Sequence, residues 1–259
     1  MELLEHKAGD RVRRAVLRTG RAGPLLCGLL GLVPQCGFSA MASGLFAGHL
    51  ITPGTLLAVF LATSDEMLPI FLAASVPPLK ILTVLGLKLA LAVICGFAVD
   101  LCLRKRAREL CVEELCDEAG CNCQNGIFRS ALRHTLQIFI FILVVNLALG
   151  AAFELVGEER IGALLNDVPV LGTLAAALVG LVPNCAASVL IATLWTKGVL
   201  SGGAMLAGLL TGAGAGLLVL FRTNRHLREN LQLLTILFAT GFLVGTLFDL
   251  TGLAAVLGL

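Results

Sequence analysis

Long apolar runs separated by short charged stretches set the outline of this chain. The runs cover 23–63, 67–103, 134–153, 169–221 and 231–259. A bilayer core of about 30 Å needs about 20 apolar residues in helix. Segments 79–103, 131–153 and 231–258 have that length and predict plain transmembrane helices, and 53–76 predicts a further crossing. The short alternating strands of a membrane barrel do not occur in the pattern. The expected fold is therefore an all-α polytopic membrane protein.

The pattern also repeats. GLVPQC at 31–36 returns as GLVPNC at 180–185, an offset of 149 that holds without a gap. From Gly31 to Phe71, twelve of 41 positions are identical to the residue 149 later, and the register continues through Gly96 and Asp100, which falls on Asp249. A leucine-rich composition produces chance leucine matches, but not Pro, Cys, Ser and Asp in register. Pro34 and Pro183 occupy equivalent places. Proline lacks the backbone donor and clashes with the preceding turn of a helix. Residues 23–50 therefore predict a hairpin of two short helices, re-entrant or half-length, broken at Pro34, and the second repeat predicts its twin broken at Pro183.

Composition and charge sharpen this picture. The chain of 259 residues is 58% hydrophobic and 14% charged, where about 25% charged is usual for a soluble domain. Disorder and a water-soluble domain are thereby disfavoured. A net charge of +2 without an aromatic-backed basic face gives no case for nucleic-acid binding. Of the 36 charged side chains, 29 lie in 1–22, 104–133, 154–168 and 222–230. Residues 1–22 hold six basic and three acidic residues, whereas the equivalent 154–168 hold one basic and four acidic. The loop at 222–230 carries Arg222, Arg225 and Arg228, whereas 73–79 in the first repeat carries no charge, with Lys80 just beyond it. Cytoplasmic loops are enriched in Lys and Arg, so equivalent loops are expected on opposite sides. That is the mark of an inverted-topology repeat, an architecture common in secondary transporters. The predicted topology puts 1–22, 104–130 and 222–230 in the cytoplasm and 154–168 and the C-terminus outside. The organisation that follows is repeat 1 over 1–103, a cytoplasmic Cys-rich loop over 104–130 and repeat 2 over 131–259. Residues 1–22 read as a basic interfacial helix or a solvated tail, not as a cleavable leader. Subtracting 149 from 131–153 places the partner almost entirely before Met1. The expectation is that the first transmembrane helix of repeat 1 is missing, through a downstream start codon or the choice of expressed segment.

Seven charges fall inside apolar runs: Asp65, Glu66, Lys80, Lys88, Asp100, Lys197 and Asp249. Lys80 and Lys197 lie near segment ends and can snorkel. Asp100 and Asp249 are equivalent and near segment ends, which suits a structural role at helix termini. Asp65 and Glu66 differ, because they sit mid-segment in LATSDEMLPI beside Ser64. A carboxylate at membrane depth is costly and usually lines an ion path. Lys88, midway along the next helix, is the candidate counter-ion; a purely structural Asp–Lys pair is the plainer reading. Asp65 falls opposite Gly214, so the acid is not duplicated, and Gly212, Gly214 and Gly216 allow unwinding or close helix approach there. The hairpin tips add Gln35, Cys36 and Ser39 in one repeat and Asn184, Cys185 and Ser188 in the other. Broken helices expose carbonyls, Gln and Asn offer neutral oxygen, and Cys offers a thiolate. The candidate site joins all of these around one cation, with tight turns holding buried thiols as the plainer alternative. Oxygen ligands predominate in it, which favours a hard ion such as Mn²⁺.

Four of the nine cysteines crowd into CVEELCDEAGCNC: Cys111, Cys116, Cys121 and Cys123. The predicted cytoplasmic location disfavours disulfides. The spacing fits no standard zinc fold, but with Glu113, Glu114, Asp117 and Glu118 the loop is a candidate accessory metal site. An incidental polar loop is the alternative.

The pair GLVPQCGFSA and GLVPNCAASV, with LATSDEMLPI between them, resembles the manganese transporters also described as ten-transmembrane heavy-metal exporters and likened to arsenic permeases. LEHKAG near the start, the Cys-rich loop, ALRHTLQIF and LFRTNRHLREN extend the resemblance over essentially the whole chain. It implies ten transmembrane segments, one more than the nine counted from the pattern (two short and two full in repeat 1, five in repeat 2), and metal-ion export across the bacterial inner membrane.

The leading expectation is a secondary transporter exporting a divalent heavy-metal ion, manganese foremost, by alternating access. Its partners would be the lipid bilayer and the transported ion, and no resident cofactor is implied; self-association into a homo-oligomer is compatible with the sequence. An arsenical or thiophilic-metal permease would instead rely on Cys36 and Cys185. A membrane metal sensor using the Cys loop is a third reading. An enzyme is disfavoured because His6, His49, His134 and His226 are scattered and form no HExxH pair. A primary pump is disfavoured because no GxxxxGK[ST] loop occurs.

Overall fold

A helix that is apolar on every side is at home only where nothing around it is water. Two such helices form the centre of this protein. In the computed structural model, which describes residues 22–33, 36–63, 67–103, 169–224 and 226–253 together with Leu136, Ile140, Leu143, Val144, Leu147 and Ala151, every described element is an α-helix. In chain order these are α1 (Gly23–Gly31), α2 (Cys36–Ala47), α3 (Pro53–Ala62), α4 (Met67–Ala73), α5 (Pro78–Leu103), α6 (Pro169–Gly180), α7 (Cys185–Thr196), α8 (Gly202–Thr211), α9 (Ala215–Thr223) and α10 (Leu227–Thr251). All ten residues of α3 and all ten of α8 are buried. Around them α5 and α10 expose Leu79, Leu82, Ile94, Leu101, Leu243, Leu247 and Leu250, an apolar surface suited to lipid.

Four stretches are long and apolar enough to cross a membrane: Pro53–Ala73, Pro78–Cys102, Gly202–Thr223 and Leu227–Thr251. These are a broken pair, α3–α4 and α8–α9, and a straight pair, α5 and α10. The helix bounds recur at the offset of the sequence repeat. Cys36–Ala47 maps onto Cys185–Thr196, and Pro53–Ala62 maps onto Gly202–Thr211. Short helices flank 32–35 and 181–184, the places where the two hairpin tips were expected. The helical residues Leu136, Ile140, Leu143, Leu147 and Ala151 lie three or four apart on one exposed face, as a lipid-facing helix requires. The Cys-rich loop and the N-terminal segment lie outside the described residues.

The expected crossing over 53–76 is present as Pro53–Ala73, with a break inside it: α3 ends at Ala62, Thr63 turns to ψ 127, and α4 starts at Met67. Pro69 explains the restart. In a continuous helix Pro69 would remove a hydrogen bond, whereas in the first turn of a new helix the missing donor has no intrahelical partner to lose. The second repeat breaks at the same level, at Gly212–Gly214, with Gly214 at φ 56 and ψ −145, a conformation that glycine alone adopts readily. The last helix also runs Leu227–Thr251 rather than 231–258. It stops at Gly252 in the left-handed conformation, a common helix terminator. It begins early because Asn230 is buried and locked to Asn224: Asn224 Nδ2 donates to Asn230 Oδ1 at 2.8 Å, and Asn230 Nδ2 donates to Asn224 O at 2.9 Å.

The straight helices are clamped to the broken ones twice, by the same chemistry. Asp100 accepts from Gly54 N at 2.8 Å and Thr52 Oγ1 at 2.7 Å. Asp249 accepts from Gly203 N at 2.9 Å and Ser201 Oγ at 2.8 Å. Each carboxylate thus neutralises the N-terminal end of a buried helix, where backbone donors and partial positive charge are exposed. This is the structural helix-end role expected of the two aspartates. Beside each clamp two glycines allow backbone contact: a Cβ on Gly54 would overlap Gly96 O, and one on Gly203 would overlap Gly245 O. Small residues at helix crossings serve membrane proteins in this way, because packing replaces the hydrophobic effect there.

Substituting Gly54→Leu or Gly203→Leu is therefore expected to destabilise the fold by about 1–3 kcal/mol or more through overpacking. Gly86→Ala, where a Cβ meets nothing within 4 Å, should leave it unchanged or slightly stabilised. Thermal midpoints of the detergent-purified variants check this.

Candidate functional site

Every break in a buried helix strands carbonyls on one side and amides on the other. The protein has four such breaks among its described helices, after α1, α3, α6 and α8. How the stranded groups are satisfied defines the site.

At the C-terminal ends the answer is Lys88. It projects from α5, ten residues from that helix's start and so about 15 Å along it, near the middle of a 30 Å core. It is fully buried. Its Nζ donates to Thr63 O, at the end of α3, and to Leu209 O, in the last turn of α8, at 2.9 Å. One ammonium therefore holds carbonyls of both broken helices, whose C-terminal ends carry partial negative charge. The repeat-equivalent of Lys88 is Leu237, itself fully buried. Threonine hydroxyls add second donors to carbonyls in the last turns of these helices. Thr63 Oγ1 donates to Val59 O at 2.8 Å, and Thr211 Oγ1 lies 3.0 Å from Ala177 O and 3.1 Å from Ala207 O.

At the N-terminal ends the described cap is that of the second repeat. Asn184 caps α7: its Oδ1 accepts from Ala186 N at 3.1 Å, in the extended conformation usual for a cap. The residue is 6% exposed, and among the described residues its Nδ2 has no hydrogen-bond partner. Its oxygen is thus already engaged, and the side chain presents a donor to the site. Cys185 follows as the first residue of α7 and is half-buried, as is Pro183 in the bend before it. Ser188, one turn on, faces the other break, since a Cβ on Gly212 would lie 3.4 Å from Ser188 Oγ. Across the centre α2 packs on α9. Ser39 is buried against Gly216, and Ser43 Oγ donates to Gly216 O at 2.7 Å, with Ser39 O at 2.9 Å as its alternative acceptor.

The structure thus brings Lys88, Asn184, Cys185, Ser39 and Ser188 to the broken helices. Pro34, Gln35, Ser64, Asp65 and Glu66, the side chain of Cys36, and Cys111, Cys116, Cys121 and Cys123 lie outside the described residues. Among the described residues no three His, Cys, Asp or Glu side chains converge. Sequence reasoning missed Ser43, whose signal was its place one turn after Ser39. It also missed the backbone carbonyls that receive Lys88, which have no side-chain signature. Comparison with family models, curated proteins and solved structures returns no match for this chain.

Asn184→Ala should lower stability by about 1 kcal/mol through loss of the α7 cap. Asn184→Ser keeps a capping oxygen and removes the unpartnered donor, so its thermal midpoint should stay near that of the wild type.

Proposed function

We propose that the protein is a secondary transporter built as an inverted-topology duplication, exporting a divalent heavy-metal ion, manganese foremost, across the bacterial inner membrane by alternating access. The observation that carries the reading is the pair of membrane-length helices broken at one level and joined through Lys88. Discontinuous helices at the midplane form the ion and substrate sites of many secondary transporters. The breaks supply carbonyl dipoles and half-helix termini, and Asp65 and Glu66 fall in the sequence between α3 and α4, where a carboxylate would offset dehydration of a divalent cation.

What supports inversion is the length of α10. The His226 ring, just before its start, lies 6.4 Å from that of His49, close to the Thr52 clamp. Asp249, near its far end, holds Ser201. Thr52 and Ser201 are repeat-equivalents, yet about 30 Å of helix separates their surroundings. The contact of Phe71 with Trp195, with ring centroids 4.9 Å apart and the planes tilted by 40°, joins the end of α4 to the end of α7 in the same sense. A reporter inserted near residue 115 should therefore read cytoplasm and one placed after Leu253 should read outside; both on one side would end the inverted reading.

A second substrate reading rests on Asn184. A buried amide donor beside Cys185 suits a thiophilic solute bearing hydroxyl oxygen, such as a trivalent arsenical, better than a bare cation. Efflux from sealed vesicles separates the two. Under the metal reading Asp65→Asn abolishes manganese efflux at normal expression, and Cys36→Ser weakens it only in part. Normal transport by Asp65→Asn, with Cys36→Ser and Cys185→Ser inactive, would transfer the assignment to the arsenical.

A further inference from the structure

Carbonyls released at the C-terminal ends of broken helices are the usual ligands of the coupling cation in transporters of discontinuous-helix design. In this protein two such carbonyls, Thr63 O and Leu209 O, come from two different broken helices and converge on one point. The group at that point is the ammonium of Lys88, delivered by a third helix and wholly shielded from solvent. The charge occurs in one repeat only, because the equivalent position on α10 is Leu237. A single cation shared by two pseudo-symmetric halves has this arrangement.

We propose that the point between Thr63 O and Leu209 O is a monovalent-cation site that the chain fills permanently with its own side chain. The ammonium of Lys88 stands in for a bound Na⁺ or a small organic ammonium: it carries the same charge and meets the same carbonyl dipoles. Because it is tethered, it cannot exchange with bulk ions. Two consequences follow. The folded protein should be indifferent to the alkali cation in its surroundings, and the transport cycle should run without a Na⁺ gradient. Removing the tether should convert the position into an exchangeable site for a monovalent cation. The second consequence rests on the transporter reading. The binding experiment below does not, so failure of one is distinguishable from failure of the other.

The test uses the full-length protein in detergent, with Na⁺, methylammonium and choline chloride at matched ionic strength. Choline is too large to enter and serves as the reference. The wild type should give the same thermal midpoint in all three salts. Lys88→Ala opens the space and leaves the carbonyls, so its midpoint in choline should fall by about 5 °C or more. Methylammonium or Na⁺ should restore part of that loss or, where the variant is recovered poorly, raise the folded yield. Lys88→Met fills the space without the charge, so it should be destabilised equally in the three salts. The proposal is overturned if the wild type is stabilised by Na⁺ over choline. It is likewise overturned if Lys88→Ala behaves alike in all three salts, whether stable or unrecoverable, or if Lys88→Met shows the same restoration as Lys88→Ala.

Discussion

A polar backbone group buried at membrane depth has no water to turn to, and every helix that stops there must find a protein partner for what it strands. The centre of this protein is organised by that constraint. Where α3 and α8 end, a single lysine answers carbonyls from both. Where α7 begins, Asn184 answers an amide. Where α2 passes α9, Ser43 answers Gly216 O. Because Lys88 lies on a straight helix and its acceptors on two broken ones, the interaction ties three elements into one unit. Breaks that would otherwise be points of weakness become a polar centre inside an apolar bundle.

The scaffold around that centre is duplicated with high fidelity. Asp100 and Asp249 clamp equivalent helix N-termini, and the glycine contacts Gly54–Gly96 and Gly203–Gly245 bring equivalent backbones together. Both devices answer needs that each repeat has independently: a helix end to neutralise and a crossing to close. The chemistry at the centre is not duplicated. Lys88 corresponds to Leu237, Ser43 to Ala192 and Gly214 to Asp65. Two halves meeting at one point need only one cation and one set of donors, so the copies there are free to diverge. A repeated frame thus surrounds an asymmetric polar core.

Local chemistry made much of the frame legible in the sequence. The long apolar runs, the pairs of short helices near the two prolines and the helix-end aspartates rest on hydropathy, on proline's missing donor and on a carboxylate's need for partners, all properties of the chain itself. The offset of 149 carried through to the helix bounds because equivalent sequences meet equivalent constraints. The break after Ala62 has a sequence signal in Pro69. The acceptors of Lys88 were not legible. Thr63 O and Leu209 O are backbone atoms 146 residues apart in the chain, and a carbonyl has the same identity at every position. The sequence by itself determined which residues could not face lipid unpartnered. Only the tertiary structure decided which partners they found, because backbone groups carry no residue label and become acceptors only where a helix happens to end beside them.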